Sequence, residues 1–262
     1  MLIEARDVHM SFGETPALRG ASLAAQDGEI LAIMGPSGSG KSTLLHCLAG
    51  ILTPASGSVW YNGTRLDQLP DKQRTRLRRT DFGFVFQFGQ LVPELSAADN
   101  IAVPLLLNRV ARRTAYRRAH AWLDRLGIAE LAGRRAGELS GGQAQRVAIG
   151  RALVTAPMVV FADEPTGALD SQTGHEVMDL LTGVARNEQT TVLLITHDPN
   201  VAGYADRTVQ VADGLVADQP APARAAPGAA APGGAAPGGT APARPGAAAP
   251  AIPLTTQPGG AS

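Results

Sequence analysis

The sequence predicts an α/β protein: a parallel sheet covered on both faces, with a helical subdomain inserted into it. Residues 30–34, 157–162 and 190–195 are short runs of apolar and β-branched residues bounded by turn residues, the pattern of strands buried on both faces. Longer stretches with helical spacing separate them, which favours a parallel arrangement. Between Ala97 and Val154, apolar residues recur at roughly helical intervals (Leu105, Trp122, Leu126, Val147, Leu153) and no run reads as a strand, so the insertion covers about residues 97–154.

The first run, Ile30-Leu31-Ala32-Ile33-Met34, leads directly into Gly35-Pro36-Ser37-Gly38-Ser39-Gly40-Lys41-Ser42. This matches G-x-x-x-x-G-K-[ST], placed after a strand and before a helix expected over residues 42–49. Glycines let the backbone curl so that its N–H groups face an anion, and the helix start adds free donors and the positive end of its dipole. Lys41 supplies a point charge for β- and γ-phosphates, and Ser42 a hydroxyl ligand for Mg²⁺. His46 and Cys47, on the same helix, read as packing or surface residues.

The second run ends in Phe161-Ala162-Asp163-Glu164. A phosphate loop alone binds nucleotide, and hydrolysis needs more. Asp163 at the strand end is assigned to the metal, and Glu164 to the base that orients and deprotonates the attacking water. Ahead of it, Phe82, Phe84 and Phe86 alternate, which predicts one buried face of a strand.

Leu139-Ser140-Gly141-Gly142-Gln143 opens a further helix. Ser140 is a good N-cap, and the glycines expose backbone donors, making a second phosphate-seeking helix start. One nucleotide rarely needs two from one chain, which points to a site shared between two copies. Gly150 inside this helix predicts a slight weakening.

With these strings assembled, the chain resembles the nucleotide-binding domain of ATP-binding cassette (ABC) proteins, over about residues 2–216. Leu139 to Gln143 is identical to that family's signature motif. The resemblance implies a P-loop NTPase, RecA-like core with an N-terminal antiparallel β subdomain, and implies ATP and Mg²⁺ as ligands. Two cassettes would pair head to tail, Ser140 and Gly142 of one touching the γ-phosphate held by the other. It further implies that Gln87 senses Mg²⁺ and the water, that Asp170 in Ala168-Leu169-Asp170 couples the paired domains, and that His197 contacts the γ-phosphate. Phe12 stands where the family carries a tyrosine stacked on adenine, and Thr43 completes the phosphate contacts. The strings around Gln87 and after Asp163 look most like the lipoprotein-release, macrolide-exporter and cell-division group. That implies an ATPase driving a separately encoded membrane permease, by export or by transmitting force. The alternative is an ATPase that gates a cell-division or cell-wall partner.

Composition is compatible with this. Basic and acidic residues balance at 23 each among 262 residues, so no global field favours nucleic acid, and no nucleic-acid partner is expected. Cys47 is the only cysteine, which excludes an intrachain disulfide and suits a reducing compartment. No apolar run approaches the roughly 18 residues needed to cross a bilayer, and no signal peptide is expected. The expected location is cytoplasmic, peripheral on the inner face of the cell membrane through the permease. Ten of the 19 prolines fall between Pro220 and Pro258, among Ala and Gly. Residues 219–262 are therefore expected to be a disordered tail beyond a cassette of residues 1–218.

Overall fold

The structure, a computed structural model, describes residues 1–87 and 89–218; the expected tail lies outside the described residues. In chain order the strands and helices are β1 (Ile3–Phe12), β2 (Thr15–Ala25), β3 (Ile30–Met34), α1 (Lys41–Leu48), β4 (Ser56–Tyr61), β5 (Thr64–Arg65), α2 (Asp71–Thr80), β6 (Phe82–Phe86), α3 (Ala97–Leu107), α4 (Arg112–Arg125), α5 (Gly141–Leu153), β7 (Val159–Asp163), α6 (Ser171–Asn187), β8 (Thr191–Ile195), α7 (Pro199–Ala202), β9 (Arg207–Ala212) and β10 (Leu215–Asp218). They form two sheets. One is antiparallel, in the order β2-β1-β4-β5. The other runs β10-β9-β3-β8-β7-β6, parallel from β9 to β6, with β10 antiparallel at one edge.

Side chains of the parallel strands alternate between two cores, as the period of two requires. Leu31, Ile33, Phe161, Leu193 and Ile195 join α1 and the antiparallel sheet. Ile30, Val85, Val160, Ala162, Val192 and Leu194 join α3, α5 and α6. Both faces are covered, so the strands carry no polar alternation; the three apolar runs were legible for that reason. Between Ala97 and Leu153 the described residues form helices and no strand.

The structure differs from expectation in three places. The second run begins at Val159, where the amides of Met158 and Val159 both bond Asp81 O, and continues to Asp163. The three phenylalanines do not share one buried face: Phe82 is buried, whereas Phe84 and Phe86 are only partly covered. β6 is an edge strand, so Phe84 stacks on Phe161 on one side and on Phe86 along its own strand. Gly150 marks a close approach: a Cβ there would lie 2.8 Å from Leu126 Cδ1 and 2.9 Å from Ile101 Cδ1. The missing side chain lets α5 pack into that cluster, which offsets the low helix propensity of glycine.

Candidate active site

Register brings the site together. Ile33 of β3 pairs with Ile195 of β8, Ile195 with Asp163 of β7, and Asp163 with Phe86 of β6. The four strands therefore end on one row. Just beyond it stand the glycine-rich loop, His197, Glu164 and Gln87, in that order across the sheet. Adjacent strands are about 4.8 Å apart, so the row spans about 14 Å. Ligands of open parallel sheets bind in this position, outside the carboxyl ends of the strands.

The loop 35–42 is shaped by its glycines. Gly35 has φ +144°, and a Cβ there would lie 2.0 Å from Val211 O; Gly40 has φ +103°, and its Cβ would lie 2.4 Å from Ala17 O. Only glycine fits both positions. Lys41 is 8% exposed. Its ammonium donates to Gly35 O at 2.8 Å and Pro36 O at 2.7 Å, so the charge sits inside the curl. No side chain caps α1 and no acid stands in its first turn, whereas α3, α5 and α6 are each capped by their own Ser or Asp. The first amides of α1 have no side-chain partner, as at α4, and follow directly on the loop, so an anion in the loop would meet them. Ser39 Oγ is buried without a hydrogen-bond partner among the described residues, as a hydroxyl reserved for a ligand oxygen would be. Ser42 is exposed and Thr43 half-buried on the first turn. Phe12 is 55% exposed at the tip of the β1–β2 hairpin, whose Ala17 packs against Gly40.

Glu164 is half-buried, with φ +49°, a conformation uncommon for a side chain this long. Its amide donates to Ile195 O at 3.0 Å, and its carbonyl accepts from Gly167 N at 3.1 Å. These bonds turn the carboxylate away from the strand toward β8. There His197 Nδ1 donates to Glu164 Oε1 at 2.8 Å, an ionised carboxylate being able only to accept. The bond and charge of Glu164 raise the pKa of His197 above its ordinary value. Gln87 is half-buried, and its amide nitrogen lies 2.7 Å from where a Cβ on Gly167 would stand. A glycine at 167 is what lets Gln87 lie against this segment.

The signature residues lie apart from this row. Ser140 caps α5 in a capping box: it accepts from Gln143 N at 3.3 Å, while Gln143 Oε1 accepts from Ser140 N at 2.9 Å. Gly142 is buried, and its Cβ would meet Thr173 Cγ2 at 2.4 Å. Asp170 caps α6 by accepting from Thr173 N at 3.0 Å, and that bond lowers its pKa. The helix starts at Ser140 and Asp170 therefore sit side by side, both exposed. Two residues the sequence reading passed over bond the segment that carries Gln87: Gln145 donates to Phe86 O, and Arg151 to Gly89 O and Gln90 O. Their only signal was polarity on the buried side of a helix.

The glycine-rich loop, buried lysine and carboxylate-ended strand on a parallel sheet define a P-loop ATPase. The chain belongs to the ABC transporter family, whose profile matches residues 18–167, more than half of its length. It is 42% identical over 228 residues to the lipoprotein-releasing system ATP-binding protein LolD 2 of Rhodopirellula baltica, covering 83% of this chain and 89% of that one. It is 46% identical over 225 residues to the macrolide export ATP-binding/permease protein MacB of Marinobacter nauticus, covering 84% of this chain but only 35% of MacB. Among solved structures it resembles the ATP-binding cassette MJ0796, dimeric in a post-hydrolysis state bound to ADP and Pi (TM-score 0.75, 37% identity, 82% of this chain and 96% of that one). The chain is the ATP-binding, ATP-hydrolysing subunit of an ABC transporter, of the lipoprotein-release and macrolide-exporter group.

Proposed function

We propose that two copies of this chain pair head to tail around two ATP molecules, and that their closing and hydrolysis drive a membrane permease carried on another chain. The row of strand ends carries this reading. Lys41, His197, Glu164 and Gln87 all follow the ends of these strands, which supports a shared phosphate position, while Ser140 lies exposed at a separate helix start with Gly142 buried behind it. A glycine-bearing helix start away from its own chain's loop suits a second molecule's nucleotide.

Within one site, the amides of residues 35–42 and the Lys41 ammonium hold phosphate oxygens, Thr43 supports the first turn, and Phe12 stacks on adenine. Ser42, Gln87 and Asp163 would hold Mg²⁺, which when bound neutralises charge on the phosphate oxygens. A hydroxyl, an amide carbonyl and a carboxylate are the hard oxygen donors that fit this ion. Among the described residues no cluster of three or more His, Cys, Asp or Glu forms a cage of its own, so water and phosphate would complete the shell. Glu164 takes the proton of the attacking water on Oε2, since Oε1 is held by His197. His197 keeps that carboxylate aimed and turns Nε2 toward the γ-phosphate. Asp170 fixes the start of α6 at the seam between copies.

The cassette is residues 1–218, with residues 97–154 its helical subdomain. Among the described residues no helix is long and apolar enough to cross a membrane. The relatives of similar length are ATP-binding proteins of a lipoprotein-releasing system, which supports a peripheral place on the inner face of the cell membrane beside such a permease. Size-exclusion chromatography of Glu164→Gln with ATP tests the pairing. A stable dimer is expected, and a monomer that keeps ATP bound at every protein concentration would overturn it.

A further inference from the structure

We infer that Arg151 and Gln145 are positioning residues that fasten the turn after β6 onto the signature helix, so that a shift of α5 moves Gln87. The inference rests on the metal- and water-sensing role proposed for Gln87. Gln145 is 1% exposed, and its Nε2 donates to Phe86 O at 3.0 Å. Further along α5, Arg151 donates from both terminal nitrogens, to Gly89 O and Gln90 O, each at 2.7 Å. Gly89 has φ +66°, and a Cβ there would lie 3.3 Å from Ala144 O, so the turn lies directly on the helix backbone. Gln87 thus lies between anchored carbonyls, Phe86 before it and Gly89 and Gln90 after it, while its own side chain lies against Gly167.

Nothing in helix formation requires these contacts. Burial lowers the pKa of Arg151, working against its charge, and no carboxylate pairs with it among the described residues. A half-buried cation without a carboxylate partner is kept where its donors have fixed work. The guanidinium fork reaches two successive carbonyls from two separate nitrogens held in one plane, whereas a lysine would have to serve both from a single nitrogen. The helix that carries Arg151 starts at Ser140. At about 1.5 Å per residue, the two ends of this lever are about 17 Å apart. Contact of Ser140 with the partner's nucleotide would then be felt at Gln87 of its own site, linking the two sites of the pair.

The test is a mutant cycle in the whole protein, with Arg151→Ala, Arg151→Lys, Gln87→Ala and the double variant Gln87→Ala/Arg151→Ala. Turnover, fluorescent-nucleotide affinity, Mg²⁺ half-saturation and melting temperature are measured for each. Displacing a reacting group by about 1 Å can cost up to about 100-fold, so Arg151→Ala should lower kcat about 10-fold or more and raise the Mg²⁺ requirement. Nucleotide affinity should stay within about 3-fold, because the phosphate loop is untouched. Arg151→Lys should recover part of kcat, and the double variant should be no slower than Gln87→Ala alone. Multiplicative losses in the double variant, or wild-type turnover in Arg151→Ala, would overturn the inference while leaving Gln87's role standing. Wild-type turnover in Gln87→Ala would overturn that role instead, and the inference with it. If Arg151→Ala does not fold, Gln145→Leu, which removes the donor to Phe86 O at similar volume, takes its place in the same cycle.

Discussion

Glu164 and His197 meet at 2.8 Å from the ends of neighbouring parallel strands, 33 positions apart in the chain. The contact joins the proposed base to the residue proposed to face the γ-phosphate. Neither side chain finds its place alone: the left-handed backbone at Glu164 turns its carboxylate toward β8, and the end of β8 delivers the imidazole.

Replacing Glu164 by Gln keeps the side-chain volume and removes the proton acceptor. Turnover should fall by about 10²–10⁴-fold, the usual worth of a general base, with ATP affinity nearly unchanged. A steady-state ATPase assay beside a nucleotide-binding titration checks this, and a loss below about 3-fold would exclude Glu164 as the base.

The pair also makes a prediction about pH. Glu164 raises the pKa of His197, so the imidazolium persists above the ordinary histidine value of about 6.5. The stabilisation from the charged pair is complete below that value and is lost as pH rises through the higher folded-state pKa. It is small, because His197 is 72% exposed on its side chain. In Glu164→Gln the His197 titration followed by NMR should move down toward the ordinary value; an unchanged midpoint would show that the 2.8 Å contact does not persist in solution.

Gly142 serves packing as well as the proposed contact with a partner's nucleotide. Gly142→Ala should lower the melting temperature, since its new methyl would meet Thr173 Cγ2. Adding Thr173→Ser removes that methyl carbon and should restore most of the loss. If the second change restores nothing in a thermal melt, the tight contact between α5 and α6 is not what requires glycine.

Gly35→Ala places a methyl on Val211 O, in a backbone region that favours glycine. The strain should cost about 1–3 kcal/mol and open the curl around Lys41. Both the denaturation midpoint and ATP affinity should therefore fall. Gly38→Ala, with nothing within 4 Å of the added methyl, should be milder despite its positive φ.

Turnover per chain should rise with protein concentration and level off once pairs dominate, because Ser140 and Gly142 lie outside their own chain's row of strand ends. A rate per chain that stays constant down to the monomer, followed by sedimentation, would show that each chain completes its own site.

Much of the molecule was legible before folding. The apolar runs, the phosphate loop, Asp163-Glu164 and Leu139 to Gln143 are contiguous strings whose chemistry follows from local spacing, and they were enough to read the sheet, ATP binding and the family. The antiparallel strands β1, β2 and β4 came only through the resemblance, because β1 and β2 carry bulges that break the alternation. What the tertiary structure alone decided is which residues meet. Strand register set Glu164 against His197, the edge position of β6 left Phe84 and Phe86 half-covered, and the lie of the turn after β6 on α5 gave Gln145 and Arg151 their carbonyl partners. These are contacts between segments far apart in the chain. Their energies depend on register and close approach, quantities that no local pattern carries.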